Sequence, residues 1–342
     1  MPRICLVPNV SGTGGMVSFK HKLSAGLTER GIEVSYDLAD ESCQAVLIIG
    51  GTRQLAALWR LKHKGVRLVQ RLDGINWIQR KRRTGLHHFF RAEAGNLLQS
   101  GIRRRLAGKI VYQSAFARTW WEDWYGIPTA PARMIHNGVD LKTYTPDGAH
   151  ERPEGRYRLL VVEGSLGGGY EMGLENAVSL AEELNLTHKL PMELMVVGKA
   201  KPALVAEWNE RSQVPILWAG SVAREAIPAL DRSAHLLYAA DLHPACPNAV
   251  IEALACGLPV AAFDTGSLHE LVPSGAGCIA PYGSDPWKVE KPDIPTLAEM
   301  ALPVLTDPVP YRLAARAYAV QNFDLDMMVD KYLHVLLETE DE

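Results

Sequence analysis

The chain has 342 residues, 47% of them hydrophobic and 22% charged, with a formal net charge of −3. This is the make-up of a folded globular protein, and at roughly 150 residues per domain it predicts about two domains. It holds no apolar run of about 18 residues, which excludes a membrane-spanning helix. Cys-x-x-C pairs and zinc-spaced Cys/His clusters are also missing. The five cysteines are odd in number and widely spaced, which points to a reducing compartment. The first residues, MPRICLVPNV, lack a basic segment followed by an apolar one, so secretion is not expected.

The small net charge hides a division. Residues 1–150 hold 22 Lys and Arg against 11 Asp and Glu, whereas residues 151–342 hold 14 against 28. Opposite charges suggest two domains with different partners. The basic excess peaks over 80–109, where Arg80, Lys81, Arg82, Arg83, Arg91, Arg103, Arg104, Arg105 and Lys109 are interleaved with His87, His88, Phe89 and Phe90. Such a stretch suits an anionic membrane surface, or a solvated face paired with the acidic half. Nucleic acid is not expected, because no binding motif accompanies the charge.

In chain order, Ile4–Val7 reads as a strand and Met16–Arg30 as a helix stopped by Gly31. Strands follow at Glu33–Tyr36 and Ala45–Ile49, a helix at Gln54–His63 and a strand at Val66–Gln70. After the basic helical stretch come a strand at Lys109–Tyr112, a helix capped by Ser114 and a strand at Arg133–His136. The second half restarts. Strands at Arg158–Val162, Met192–Val197, Ile216–Trp218, His235–Tyr238 and Val260–Phe263 alternate with helices at Glu171–Asn185, Pro202–Arg211, Arg224–Arg232 and Pro247–Ala255. From about Pro292 the tail reads as helices with Pro and Asp breaks. The alternation predicts an α/β chain of two doubly wound parallel-sheet domains, joined near Tyr144–Gly155, with the active site in a cleft between them.

Three segments point to chemistry. Ser11-Gly12-Thr13-Gly14-Gly15 follows the first strand and opens the first helix. It reads as a ligand-facing loop or as a tight turn; its spacing is not that of a nicotinamide dinucleotide fingerprint. Glu163-Gly164-Ser165-Leu166-Gly167-Gly168-Gly169 holds the same place in the second half. It suits phosphate or sugar contact, or plain flexibility, and is not a Walker A sequence. The third runs from Cys246 to Val260. Pro247 suits a first helical position, N–H groups near Asn248 would face a diphosphate, and Glu252 one turn on would reach ribose hydroxyls. A capped structural helix is the alternative. Asp73 before Gly74 suits a cleft or a turn, Lys199 a phosphate or solvent, and His243 a sugar or the core. Asp324-Leu325-Asp326 precedes the last helix, where Asp caps, so no metal is expected there.

The chain resembles the family 4 glycosyltransferases, which have the GT-B fold. The likeness rests on Gly14-Gly15, Arg71-Leu72-Asp73-Gly74-Ile75, Tyr112-Gln113-Ser114, Asn137-Gly138-Val139-Asp140 and Pro247–Val260. It implies transfer of a sugar from a nucleotide diphosphate donor, UDP- or GDP-linked, with retention of configuration and with neither metal nor cofactor. The acceptor would be a glycan or a lipid-linked molecule. It implies an acceptor-side domain over 1–150, a nucleotide-sugar domain over 151–322, and a last helix over 323–342 crossing back to the first. Asp73, His243 and Glu252 become the catalytic candidates. Gly14, Gly15, Gly164, Ser165, Gly167, Gly168, Lys199, Pro247, Asn248 and Glu252 become the donor-binding ones. The expected place is the cytoplasm, with peripheral contact at the inner membrane face. Two departures stand out. The first of the family's paired glutamates is replaced by Pro244, and the usual Arg and Lys after the first strand of the second domain by Ser165 and Met172. These departures leave two other readings, a non-catalytic nucleotide-sugar-binding scaffold and a nucleotide-sugar epimerase of the same fold.

Overall fold

A computed structural model describes residues 1–12, 14–40, 42–167 and 171–337. The chain divides into two compact units, Met1–Gly138 with Leu325–Glu342, and Val139–Asp324.

The first unit is built on six strands: β1 (Arg3–Val7), β2 (Glu33–Ser35), β3 (Ala45–Ile49), β4 (Arg67–Leu72), β5 (Lys109–Tyr112) and β6 (Ala132–Met134). They form one parallel sheet in the order β2-β1-β3-β4-β5-β6. Its helices are α1 (Gly15–Glu29), α2 (Leu55–His63), α3 (Leu86–Arg105) and α4 (Ala115–Tyr125). β3 is buried at all five residues, as a strand covered on both faces must be. Ser114 caps α4 by accepting a hydrogen bond from the Ala117 amide at 3.0 Å.

The second unit has β7 (Tyr157–Ser165), β8 (Met192–Lys199), β9 (Ile216–Gly220), β10 (Leu236–Tyr238), β11 (Val260–Phe263) and β12 (Gly277–Ala280). They form a parallel sheet in the order β12-β11-β10-β7-β8-β9. Its helices are α5 (Met172–Leu186), α6 (Pro202–Arg211), α7 (Ile227–Ser233), α8 (Asn248–Ala255), α9 (Leu268–Leu271), α10 (Ile294–Thr306) and α11 (Pro308–Asn322). The last helix, α12 (Leu325–Leu337), belongs to the first unit.

The division falls at Gly138, not at 150. Val139 and Tyr144 are buried in the second unit's core, and the Val139 amide donates to Phe323 O at 2.8 Å. α12 packs on the first unit through Met328, Val329, Tyr332, Val335 and Leu336. Arg30 joins it by ion pairs to Asp326 (2.9 Å) and Asp330 (2.6 Å). Asp326 of the Asp-x-Asp sequence is thus engaged with Arg30. Gly26 makes this packing close, because a Cβ there would lie 2.6 Å from a Val329 methyl. Gly26→Val is expected to lower stability by about 1–3 kcal/mol through overpacking, measured by denaturant unfolding. An unchanged unfolding midpoint would show that α12 is not held there.

β12 and α9 have no counterpart in the sequence reading. Gly277 hides the strand, since its side is taken by Val260: a Cβ would lie 2.0 Å from Val260 O. β7, β8 and β9 each run on past the apolar run that marks them, the first through Gly164 to Ser165.

Candidate functional site

In doubly wound sheets ligands bind beyond the carboxyl ends of the strands, where the strand order reverses. In the first sheet the reversal lies between β1 and β3, and in the second between β7 and β10. The loops leaving β1, β7 and β10 are the three segments singled out by sequence. The topology therefore brings the second glycine loop and the start of α8 to one crevice of the second unit.

β7 ends at Gly164 and Ser165, both exposed, and Ser165 pairs in register with Lys199 at the end of β8. Gly198 makes this approach possible. Its φ is +142°, and a Cβ would stand 2.2 Å from Glu163 O. The Lys199 ammonium is exposed and has no acceptor among the described residues. Gly167 is half-buried, while Gly168 lies outside the described residues. The edge also carries acid. Burial raises the Glu163 carboxyl well above its ordinary range, and the charge of Asp241 raises it further. Withdrawal of the carboxyl from water pushes Asp241 up to about 6, and because the residue is exposed, solvent screens part of the effect.

α8 starts at Asn248, with Pro247 one place earlier as its N-cap rather than as the first helical residue. A proline side chain cannot cap, so the first-turn N–H groups gain no side-chain acceptor from the N-cap. Asn248 and Ala249 are half-buried there. This is the electrostatic arrangement that attracts an anion. Glu252 is one turn in and largely buried. Beside it lie Tyr144, Asp231 and Cys256. Asp231 is 1% exposed, and its Oδ2 has no hydrogen-bond partner among the described residues. Burial first, then the Glu252 charge, raises its carboxyl well above the usual range. Asp231 is a site residue that the sequence reading missed. Its signal was its place four residues after Ile227, on the buried face of α7.

His243 adopts a left-handed backbone with φ of +58° and is buried. Its ring stacks on Trp287 at 3.6 Å between centroids and 13° between planes. It therefore stands against Trp287, not in an open sugar pocket. Pro244, at the position of the first family glutamate, is packed on Gly266, where a Cβ would lie 2.5 Å from its ring. Burial lowers His243 to about 4 and His235 to about 4, from the ordinary 6.5. Both are neutral when folded, so the unfolded chain takes up protons first as pH falls. Their stabilisation is complete above about pH 6.5 and is lost between 6.5 and 4. The loss should reach on the order of 2–3 kcal/mol per imidazole. Denaturant unfolding at several pH values checks this, and His235→Gln with His243→Gln should flatten the slope.

In the first unit, Gly14 is the N-cap of α1 and Gly15 its first residue, with no side-chain cap. Gly12 and Gly14 have φ of +97° and +115°, which side chains avoid. Asp73 stands just past β4. Its Oδ1 accepts from both Arg71 Nη1 and Gln113 Nε2, and Trp121 Nε1 donates to its carbonyl at 2.7 Å. Arg71 is buried, donates to Asn137 Oδ1 at 2.9 Å and lies 3.8 Å over the Phe19 ring. The Asp73 side chain stays 32% exposed. A turn aspartate needs no such clamp. Arg71, Gln113 and Asn137, known from sequence only as parts of the resemblance, are the groups that hold it.

Among the described residues, no group of three or more His, Cys, Asp or Glu side chains is placed to hold a metal ion. The same residues include no helix long and apolar enough to cross a membrane. No disulfide joins any of the five cysteines, and all five are buried.

Residues 161–307 match the family model of glycosyl transferases group 1. No curated protein matches the chain in sequence. Among solved structures, sucrose-phosphate synthase from Thermosynechococcus elongatus is similar with a TM-score of 0.73 at 16% identity, over 97% of each chain. HepE of Anabaena, solved with UDP-glucose, gives 0.70 at 15% identity, over 98% of this chain and 99% of that one. WaaG, a glycosyltransferase involved in lipopolysaccharide biosynthesis, gives 0.67 at 17% identity, over 98% of this chain and all of that one. Likeness at these identities establishes the fold. The chain has the GT-B fold, and residues 161–307 of its second unit are similar to the glycosyl transferases group 1 family.

Proposed function

We propose that the protein transfers a sugar from a nucleoside diphosphate donor to a glycan or lipid-linked acceptor, retaining the anomeric configuration. The carrying observation is the start of α8, whose N-cap offers its amides no side-chain acceptor, with Glu252 one turn in, inside the family-matched segment. In this reading the first-turn amides and the Lys199 ammonium take the charge of the leaving diphosphate. Gly164, Ser165 and Gly167 line its approach, and Gly168 completes that loop in sequence. Glu252 accepts hydrogen bonds from the ribose hydroxyls. Fixed dipoles and an ammonium supply the charge here, so transfer proceeds without a metal ion and without a cofactor.

The first unit takes the acceptor, with Asp73 holding its hydroxyl and the Gly14-Gly15 turn beside it. The bond from the anomeric carbon to the diphosphate breaks, and on the same face the acceptor oxygen bonds to that carbon and passes its proton to the Asp73 carboxylate. His243, stacked and neutral, supports the loop that leads to α8. The test is product formation from UDP- and GDP-sugars with an acceptor panel, with and without a chelator. NMR of the new linkage reads its configuration. Transfer with retention, unaffected by chelator, is expected. Inverted product or chelator-sensitive transfer would overturn those parts. Binding without turnover would favour a scaffold, for which the buried Pro244 argues, and donor conversion without acceptor an epimerase.

A further inference from the structure

Residues 151–342 are acidic, with 14 Lys and Arg against 28 Asp and Glu, yet arginines gather at one end of the second unit. Arg152, Arg158 and Arg312 all bond to the turn that leaves α7, and Arg232 is part of it. Tyr157 and Leu236 open β7 and β10 here. This end of the sheet is therefore opposite the crevice beyond the carboxyl ends of those strands.

Two of these arginines are engaged. Arg158 is paired with Glu193 at 2.7 Å. Arg232 is buried and gives Nη1 to Thr145 O at 3.2 Å and Nη2 to Ala149 O at 3.3 Å. Arg152 and Arg312 differ. Arg152 gives Nη2 alone, to Arg232 O at 2.6 Å, and Arg312 gives Nη1 alone, to Ala234 O at 3.3 Å. Neither forms an ion pair among the described residues. One cation would serve the end of a helix, and two side by side repel each other. Burial first, then the charge of Arg152, lowers Arg312 to about 10 from the ordinary 12.5.

His235 adds a third donor. Its Nδ1 accepts from the Arg158 amide at 2.9 Å, so in the neutral ring the proton sits on Nε2. After burial, the charges of Arg152 and Arg312 are the next causes that hold this imidazole neutral, which places it beside both. No nitrogen of His235 or Arg312 is buried without a partner among the described residues, and Arg152 is exposed. Their spare N–H groups therefore open to solvent.

We propose that Arg152, His235 and Arg312 bind a phosphate group, free or as a monoester, at this end of the second unit. Three donors from three segments of the chain suit a tetrahedral oxyanion, whose oxygens accept on several sides. The two guanidiniums match its charge, and the imidazole N–H adds a hydrogen bond without a further cation. A bound phosphate would also end the repulsion between the two arginines. The site is independent of which sugar or acceptor the protein uses.

Phosphorus NMR titration of the full chain with inorganic phosphate and with a hexose 6-phosphate, at constant ionic strength, tests this. Saturable binding of either is expected, and the tighter of the two names the source. Arg152→Gln with Arg312→Gln should weaken it about tenfold or more, the worth of one or two charged hydrogen bonds. Arg152→Gln alone, at an exposed position, should weaken it in the same direction if the double variant does not fold. Lys199→Gln, in the other crevice, should leave this binding unchanged. Wild-type protein that binds neither compound would overturn the proposal. So would arginine variants that bind like wild type, or binding lost in Lys199→Gln, which would place the anion at the carboxyl ends of the strands.

Discussion

Asp73→Asn is expected to lower turnover about a hundredfold or more while leaving nucleoside diphosphate binding unchanged. The clamp supplies the reason. Arg71 and Gln113 both bond one carboxylate oxygen, which fixes the side chain while leaving it 32% exposed. A group fixed in this way costs no reorganisation when a substrate hydroxyl arrives. Asn keeps the shape and removes the charge. It also leaves the buried Arg71 short of a counter-charge, so some stability is lost as well. Donor binding separates the two effects, because the donor contacts of the proposed function lie in the second unit. Loss of both turnover and donor binding would mean that Asp73 holds the fold. Unchanged turnover would remove it from the chemistry.

Glu252→Ala should weaken donor binding about tenfold to a hundredfold, the worth of one or two hydrogen bonds to a charged group. It should not unfold the protein. Glu252 lies beside the buried Asp231, whose carboxyl its charge pushes further up. Removing Glu252 relieves this like-charge contact, which offsets part of the lost packing. Weaker binding with near-normal stability is therefore the signature. Calorimetric titration with the preferred nucleotide and denaturant unfolding give the two readings. Unchanged affinity would strip Glu252 of the ribose role.

Most of the fold is legible in the sequence because buried parallel strands read as short apolar runs between helical stretches. Ala45–Ile49, Lys109–Tyr112 and Val260–Phe263 appear in the structure with the bounds the sequence suggests. What escapes is of three kinds. β12 is masked by its glycine and by one cysteine among four residues. The turn from the first unit to the second falls at Gly138, because Val139 and Tyr144 are core residues that a Pro- and Gly-rich stretch disguises as linker. Arg103 counts as surface charge until its place facing Tyr112 is seen. The candidate site follows the same pattern. The loops and α8 can be read locally. The Asp73 clamp joins residues 40 and 66 positions apart, Gln113 to Asp73 and Asn137 to Arg71, and no local pattern shows that. The sequence leaves His243 between a sugar contact and the core, and the stacking of Trp287, 44 positions on, places it among buried groups.

The central claim is that the second unit holds a nucleoside diphosphate at the start of α8, and a thermal-shift titration tests it most directly. Wild-type protein would be heated with UDP, GDP, ADP, CMP and NAD, each with and without a divalent metal. At about a hundred times its dissociation constant, a ligand adds about 2.7 kcal/mol of stability. The account predicts a rise with one nucleoside diphosphate, indifferent to metal and much reduced in Glu252→Ala. No rise with any nucleoside diphosphate, or an equal rise in Glu252→Ala, would contradict it.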